Sequence, residues 1–597
     1  MKKIHNFIPA ATVCTLSLSL FTPTIQAASP EELTYYEKGS TGLAVELVGR
    51  YSSGASIDEG GTEIVVYDPN SFRAFSVNGA EKALDILDLS SLKPSETADI
   101  PLLKRIPLSG LGVEASDVTS VAIHPDGEFI AVSAPAVKKE QPGSIVFLTI
   151  DGEALGHVKV GALPDMLTFT PDGKQLLVAN EGEPTEDYTI NPQGSVSMIN
   201  LSQPIEEIDD QAVTTVLFDE AIIEDDVRKV HPDSSYAEDL EPEYITIDSA
   251  GKYAYVVLQE NNAMAKLDIE AQKFVSIKSL GYKDYSIPKN QLDPSNKDGG
   301  EDIRNWPVLS MYQPDGLASF EVDGQTYLLS ANEGDAQDWE GFSEETRVAD
   351  LAGDYQLNAE LYKGYNQNRL DKLVKNGLFE EDQLGRLNTS IAHPKNEDGK
   401  YEAIYGYGGR SFSVWHADTM DLAYDSADDF EQITAEVYPE YFNSSNDEDG
   451  FDSRSDDKGP EPESVITGEV GGTDYAFIGL ERQGGIMVYD LSKPTKPKFD
   501  SYFSSRVFTG PDAEVTEQSG DVAPEGLAFI PEEQSPTGQN LLLAAHEVSG
   551  TIAVYAIDEK ARGNKPEHAK AAESGSIMNL VSSIVAIPKE LLAFFSK

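Results

Sequence analysis

Residues 454–467 read Arg454-Ser455-Asp456-Asp457-Lys458-Gly459-Pro460-Glu461-Pro462-Glu463-Ser464-Val465-Ile466-Thr467. Charged groups crowd into a Pro-Glu pair, and an apolar run starts at once. Proline fixes φ and lacks an N–H, so it suits the first position of a strand. The Glu after it therefore stands where a loop becomes a strand.

The same junction recurs at Pro164-Asp165, Pro242-Glu243, Pro314-Asp315 and Pro524-Glu525, with a fainter copy at Glu63-Ile64. After each of the five Pro-acid junctions come a short turn, a second apolar run and another acid: Glu181, Glu260, Glu333, Glu481 or Glu547. The two acids of a unit are 16 to 22 residues apart. A repeat of about 40 residues with four short strands is the signature of a propeller blade. The sequence predicts an all-β fold, a seven-bladed β-propeller with long loops and a partly helical insertion on one face. First strands are expected at Glu63–Tyr67, Ser120–His124, Met166–Thr170, Tyr244–Asp248, Gly316–Phe320, Ser464–Thr467 and Gly526–Ile530. No fourth strand follows Ile557. Residues 44–51 are expected to supply it and close the ring, which removes an open sheet edge.

The long irregular segments, among them 181–194, 283–313, 335–409 and 429–462, all fall on one face of such a disc. Function collects on loops held by a rigid scaffold. The propeller is expected over residues 43–557, with the insertion at 335–409 acting as a lid or a structural cap. Thr119 stands where the second unit should carry its acid, so the ring has a gap there.

With 102 acids against 45 bases the net charge is −57, which excludes nucleic acid as a partner. Lys2, Lys3, the apolar stretch 7–21 and Ile25-Gln26-Ala27 predict a signal peptide over residues 1–28 and a secreted, extracellular location. Cys14, the chain's one cysteine, lies inside it. The mature chain then has no disulfide, no zinc–thiolate site and no Cys nucleophile. Residues 558–576 read as a linker. Residues 577–597 form an amphipathic segment too broken by charge and Pro588 to span a bilayer; it either lies on the cell envelope or docks on the propeller. A monomer is expected.

Blades are related by rotation, so equivalent acids face one axis. The expected ring is Glu63, Asp165, Glu181, Glu243, Glu260, Asp315, Glu333, Glu463, Glu481, Glu525 and Glu547. Carboxylates crowded together repel, and either take protons or share a hard cation. Calcium, which accepts six to eight oxygens, is the first choice, with magnesium or manganese next. The plainer reading has these acids capping backbone N–H groups at blade junctions. Arg410 and Arg482 are candidates to grip a phosphate bidentately, and His546 is a candidate general acid. With a metal-activated water they would make a phosphomonoesterase acting on a phosphate ester. Each also has a structural reading, the arginines as ion pairs and His546 as a core residue. Trp306 and Trp339 either stack a substrate or pack loop cores.

Asn180-Glu181-Gly182-Glu183-Pro184, Gly409-Arg410-Ser411-Phe412-Ser413-Val414-Trp415 and the 454–463 stretch resemble the choice-of-anchor I family over roughly residues 43–557. These are secreted bacterial propellers, related to animal mesenchyme-specific cell surface glycoproteins and labelled alkaline phosphatase-like. The resemblance implies a cell-surface protein. Propeller phosphatases that hold calcium with iron use a cysteine ligand, which the mature chain lacks. Two functions stand side by side: a metal-dependent phosphomonoesterase, and a non-catalytic propeller that binds a protein or glycan at the cell surface through the same face; other hydrolase or lactonase-like chemistry, which propellers also host, is the third reading.

Overall fold

A computed structural model describes residues 33–38 and 42–560. The signal peptide, the C-terminal amphipathic segment and nearly all of the linker lie outside the described residues.

The fold is all-β with few helices. Among the described residues, seven sheets have four or five strands each. Within six of them the strands run from a first, inner strand outward, each antiparallel to the last. The first strands are Val65–Asp68, Val121–Ile123, Pro164–Phe169, Pro242–Ile247, Leu317–Val322, Pro462–Val470 and Pro524–Ile530. Each touches the next in chain order, and the last touches the first. The sheets therefore close a circle around one axis, the architecture of a β-propeller.

Burial follows from this arrangement. Second strands lie between neighbouring sheets and are apolar on both faces, as in Leu176–Ala179. First strands are only partly buried, because one side faces the axial cavity. The core is intersheet: Leu177 and Val196 of the third sheet pack with Val256 and Ala265 of the fourth.

An early strand and the last described strand meet in the seventh sheet. Leu43–Ser52 pairs antiparallel with Thr551–Glu559, Val45 opposite Ile557 and Tyr51 opposite Ile552. Thr34–Glu37 adds a fifth strand to the sixth sheet by pairing with Lys498–Ser504.

The insertion packs onto residues 282–311 and shares a core with them that includes Tyr285, Trp306, Leu357, Tyr362 and Leu370. A strand on each side, Val308–Met311 and Ile404–Gly406, pairs in parallel and ties its ends together. Its one α-helix of two turns or more, Gln367–Lys375, starts at Asn366, whose side chain accepts from Arg369 N. Trp306 belongs to this core. It is buried and its indole donates to Leu292 O, so it offers no stacking face to a ligand.

Candidate cation-binding site

The Pro-acid junction has a repeated local geometry. Pro164 pairs with Asn180 and Leu167 with Val178, so one extra residue is squeezed into the first strand. The same bulge sits at Pro242–Ile245 and Pro462–Val465, and a similar one follows Pro524. A bulge re-aims the side chain it carries. Here it carries Asp165, Glu243, Glu463 and Glu525. Immediately before the proline stands a non-glycine residue with positive φ at Leu163, Gln313, Glu461 and Ala523. Such backbone is held at a cost of about 1–3 kcal/mol and concentrates where function needs it. Gly316, after Asp315, has its own reason: a Cβ there would lie 2.6 Å from Glu463 O on the next first strand.

These junctions surround an axial cavity of about 670 Å³. Asp165, Glu181, Glu243, Asp315, Glu333, Glu463 and Glu525 of the expected ring line it. Oxygens of Asp165, Glu181 and Glu243 lie within 4.8 Å of one another, and so do those of Glu333, Glu463 and Glu481. Each triad takes both acids of one sheet and one from a neighbour. Glu63 and Glu547 form a further acidic corner with Asp117 and Glu525. Glu260 sits behind the first triad, in the field of Glu181 and Glu243. Thr119 fills the gap in the second sheet without charge: its hydroxyl lies 2.8 Å from Pro164 O.

Burial, followed by repulsion from the neighbouring acids, raises these carboxyls. Asp165 is pushed up to about 7, Asp315 and Glu481 to about 8, and Glu63 to about 9. Glu181, Glu243, Glu260, Glu463 and Glu525 stand well above the carboxylate range. Glu463 Oε2, Glu525 Oε2 and Glu260 Oε2 are buried with no hydrogen-bond partner. The capping alternative does not account for these oxygens. Glu461 is the exception. Burial raises it, but Lys458, Arg454 and Arg482 outweigh burial and hold it at about 2.

A family model described as the choice-of-anchor I domain matches residues 63–494. The chain belongs to the choice-of-anchor I family. Gigasin-3a of Magallana gigas is 36% identical over 181 residues, 29% of this chain and 64% of that protein. The mesenchyme-specific cell surface glycoprotein of Strongylocentrotus purpuratus is 27% identical over 299 residues, 45% of this chain and 37% of that protein. The chain thus spans less than two thirds of either relative. Among solved structures, hydrazine synthase of Kuenenia stuttgartiensis aligns over 84% of this chain and 97% of its own at 13% identity, with a TM-score of 0.42.

Two groups expected at the mouth of this choice-of-anchor I propeller are elsewhere. Arg410 does not reach the axial cavity. Its Nη1 donates to Glu431 Oε1 (2.7 Å) and Asp293 O (2.8 Å), and its Nη2 to Ser455 O and Asp457 O (2.8 Å each). With those donors spent inside the loops, it has no fork left for phosphate. His546 is 2% exposed: it is the last residue of the strand Asn540–His546 and its ring is buried, whereas Glu547 opens the turn that follows. Burial lowers its pKa, which suits a neutral core histidine. Arg482 is at the mouth, ion-paired to Glu461 and Glu481 at 3.3 Å each.

Glu183 and Asp335 also line the cavity, unforeseen. A signal existed: Glu181-Gly182-Glu183 and Glu333-Gly334-Asp335 share an acid-Gly-acid pattern, and both glycines have positive φ. Trp339 lies with Val137, Lys139 and Glu183 in a side groove next to the mouth.

Proposed function

We propose that this protein is a secreted or cell-surface propeller of seven blades, one per large sheet, whose axial mouth binds a divalent cation, calcium by preference. It acts as a non-catalytic binding module. The observation that carries this reading is the pair of carboxylate triads, each with oxygens within 4.8 Å. Two oxygens each about 2.4 Å from an ion are at most about 4.8 Å apart, so the spacing fits shared coordination of calcium. Family membership and likeness to a cell surface glycoprotein support the extracellular setting, where free calcium is abundant. The phosphomonoesterase reading needs a free arginine fork and a general acid; Arg410 and His546 are turned away from the cavity, and Arg482 is already paired with Glu461 and Glu481.

The test is calorimetric titration of metal-stripped protein with calcium, run beside a phosphomonoester assay with and without EDTA. Saturable calcium binding with no EDTA-sensitive hydrolysis is expected. EDTA-sensitive turnover would restore the enzyme, and absence of calcium binding would remove the cation site.

A further inference from the structure

The two triads differ in what already neutralises them. Lys458 Nζ lies 2.9 Å from Glu333 Oε1, 3.2 Å from Glu461 Oε2 and 3.8 Å from Asp335 Oδ1, and donates to Gly334 O. Arg482 adds a second positive charge, 3.3 Å from Glu481. The triad of Glu333, Glu463 and Glu481 thus has a fixed ammonium on Glu333 and a guanidinium on Glu481, while Glu463 pairs with neither. On the other side Lys139 is the nearby base. Its side chain is 60% exposed and pairs with Glu183 at 3.4 Å, not with Asp165, Glu181 or Glu243. Glu260, in the field of Asp335 as well as of Glu181 and Glu243, is 5% exposed and keeps one oxygen with no partner.

The loop that carries Lys458 is held rigidly. Arg410 grips its carbonyls at Ser455 and Asp457. Arg347 and Arg386, both from the insertion, grip Asp456 at 3.3 and 2.6 Å. Arg454 bonds to Glu461 at 2.6 Å. A side chain so anchored loses little further freedom when it reaches into the acids.

Resting on the cation-binding reading above, we propose that Lys458 is a tethered cation that holds Glu333 of the second triad, so that the protein takes one divalent ion, at Asp165, Glu181 and Glu243, and gains a second site when the ammonium is removed. The insertion serves this arrangement by holding the Lys458 loop. Lys458 is thereby the residue that sets metal stoichiometry.

The experiment is calcium stoichiometry on the full mature chain by equilibrium dialysis. Wild type should bind one calcium, Lys458→Met two, and Glu243→Gln none. A second pair avoids dependence on the folding of Lys458→Met: Glu463→Gln should leave wild-type affinity within about twofold, whereas Glu181→Gln should weaken it at least tenfold. Two calcium ions on wild type, one on folded Lys458→Met, or equal losses from Glu463→Gln and Glu181→Gln would overturn the assignment while leaving the cation reading intact. No binding by any variant would sink both.

Discussion

Arg410 Nη1 lies 2.7 Å from Glu431 Oε1, with the two side chains 4% and 1% exposed. Removing one member of such a buried pair strands the other, at a cost of about 3–5 kcal/mol. Arg410→Ala should therefore lower stability by that order in chemical denaturation. The same change frees the 454–459 loop. Gly459→Ala should act in the same direction, because Gly459 has φ +70° and a Cβ would press against the Arg410 guanidinium at about 3.1 Å. Wild-type stability in both variants would show that the clamp is not structural.

Ring closure makes a separate prediction. Leu43–Ser52 covers the whole outer edge of Thr551–Glu559 and buries Leu47 and Val48. Deleting residues 33–52 should expose that edge, drop the melting temperature sharply and promote self-association. Circular dichroism melts and size-exclusion chromatography would read both. A monomer with an unchanged melt would mean the strand is an accessory.

Much of this fold is legible because it repeats. Proline placement, turns and apolar runs give the first strands to within a few residues, and Pro164, Pro242, Pro462 and Pro524 do open strands. The acids that follow are legible for the same reason: rotation about an axis brings equivalent positions together. What the sequence hides is long-range and lies in the insertions. Arg410 follows two glycines at a strand start, the usual surroundings of a site residue. Its partners Asp293 and Ser455 come from separate loops and Glu431 from the helix Asp429–Val437, and no local pattern announces them. His546 is hidden for a different reason. It is adjacent to Glu547 in sequence, but it ends a buried strand while Glu547 opens the turn at the ring. Lys458 is legible as a base among acids, whereas the fixed position of its loop depends on Arg347 and Arg386, 109 and 70 residues from Asp456.

Calcium should stabilise the folded chain by mass action. A ligand at 100 times its Kd adds about 2.7 kcal/mol when it binds the native state alone. Thermal melts of metal-stripped protein should rise with calcium and reach further than with an equal concentration of magnesium, which demands tighter octahedral geometry. Glu243→Gln should abolish the rise, since it removes a ligand from the first triad. A melting temperature indifferent to calcium in wild type would exclude a site of useful affinity.

Calcium and protons should compete at the same oxygens. Asp165, Asp315, Glu481 and Glu63 have native-state values of about 7, 8, 8 and 9, against 3.8 to 4.5 when unperturbed. Between those limits the folded chain binds more protons than the unfolded one, so stability of the metal-free protein falls as pH rises from about 4.5 to about 9. Glu461 does not reverse this. Its depressed value of about 2 contributes stability that is fully present above about 4.5 and is lost only in stronger acid. Calcium removes the same repulsion that protonation removes. Its stabilising effect should therefore be small at pH 5, where protons already neutralise the ring, and large at pH 8.5. At pH 7 its binding should release protons, read as a dependence of calorimetric enthalpy on the ionisation enthalpy of the buffer. Metal-free stability that is flat or rising between pH 5 and 9, together with calcium binding that releases no protons, would mean the ring is already ionised, with its charge balanced by fixed bases such as Lys458 and Arg482.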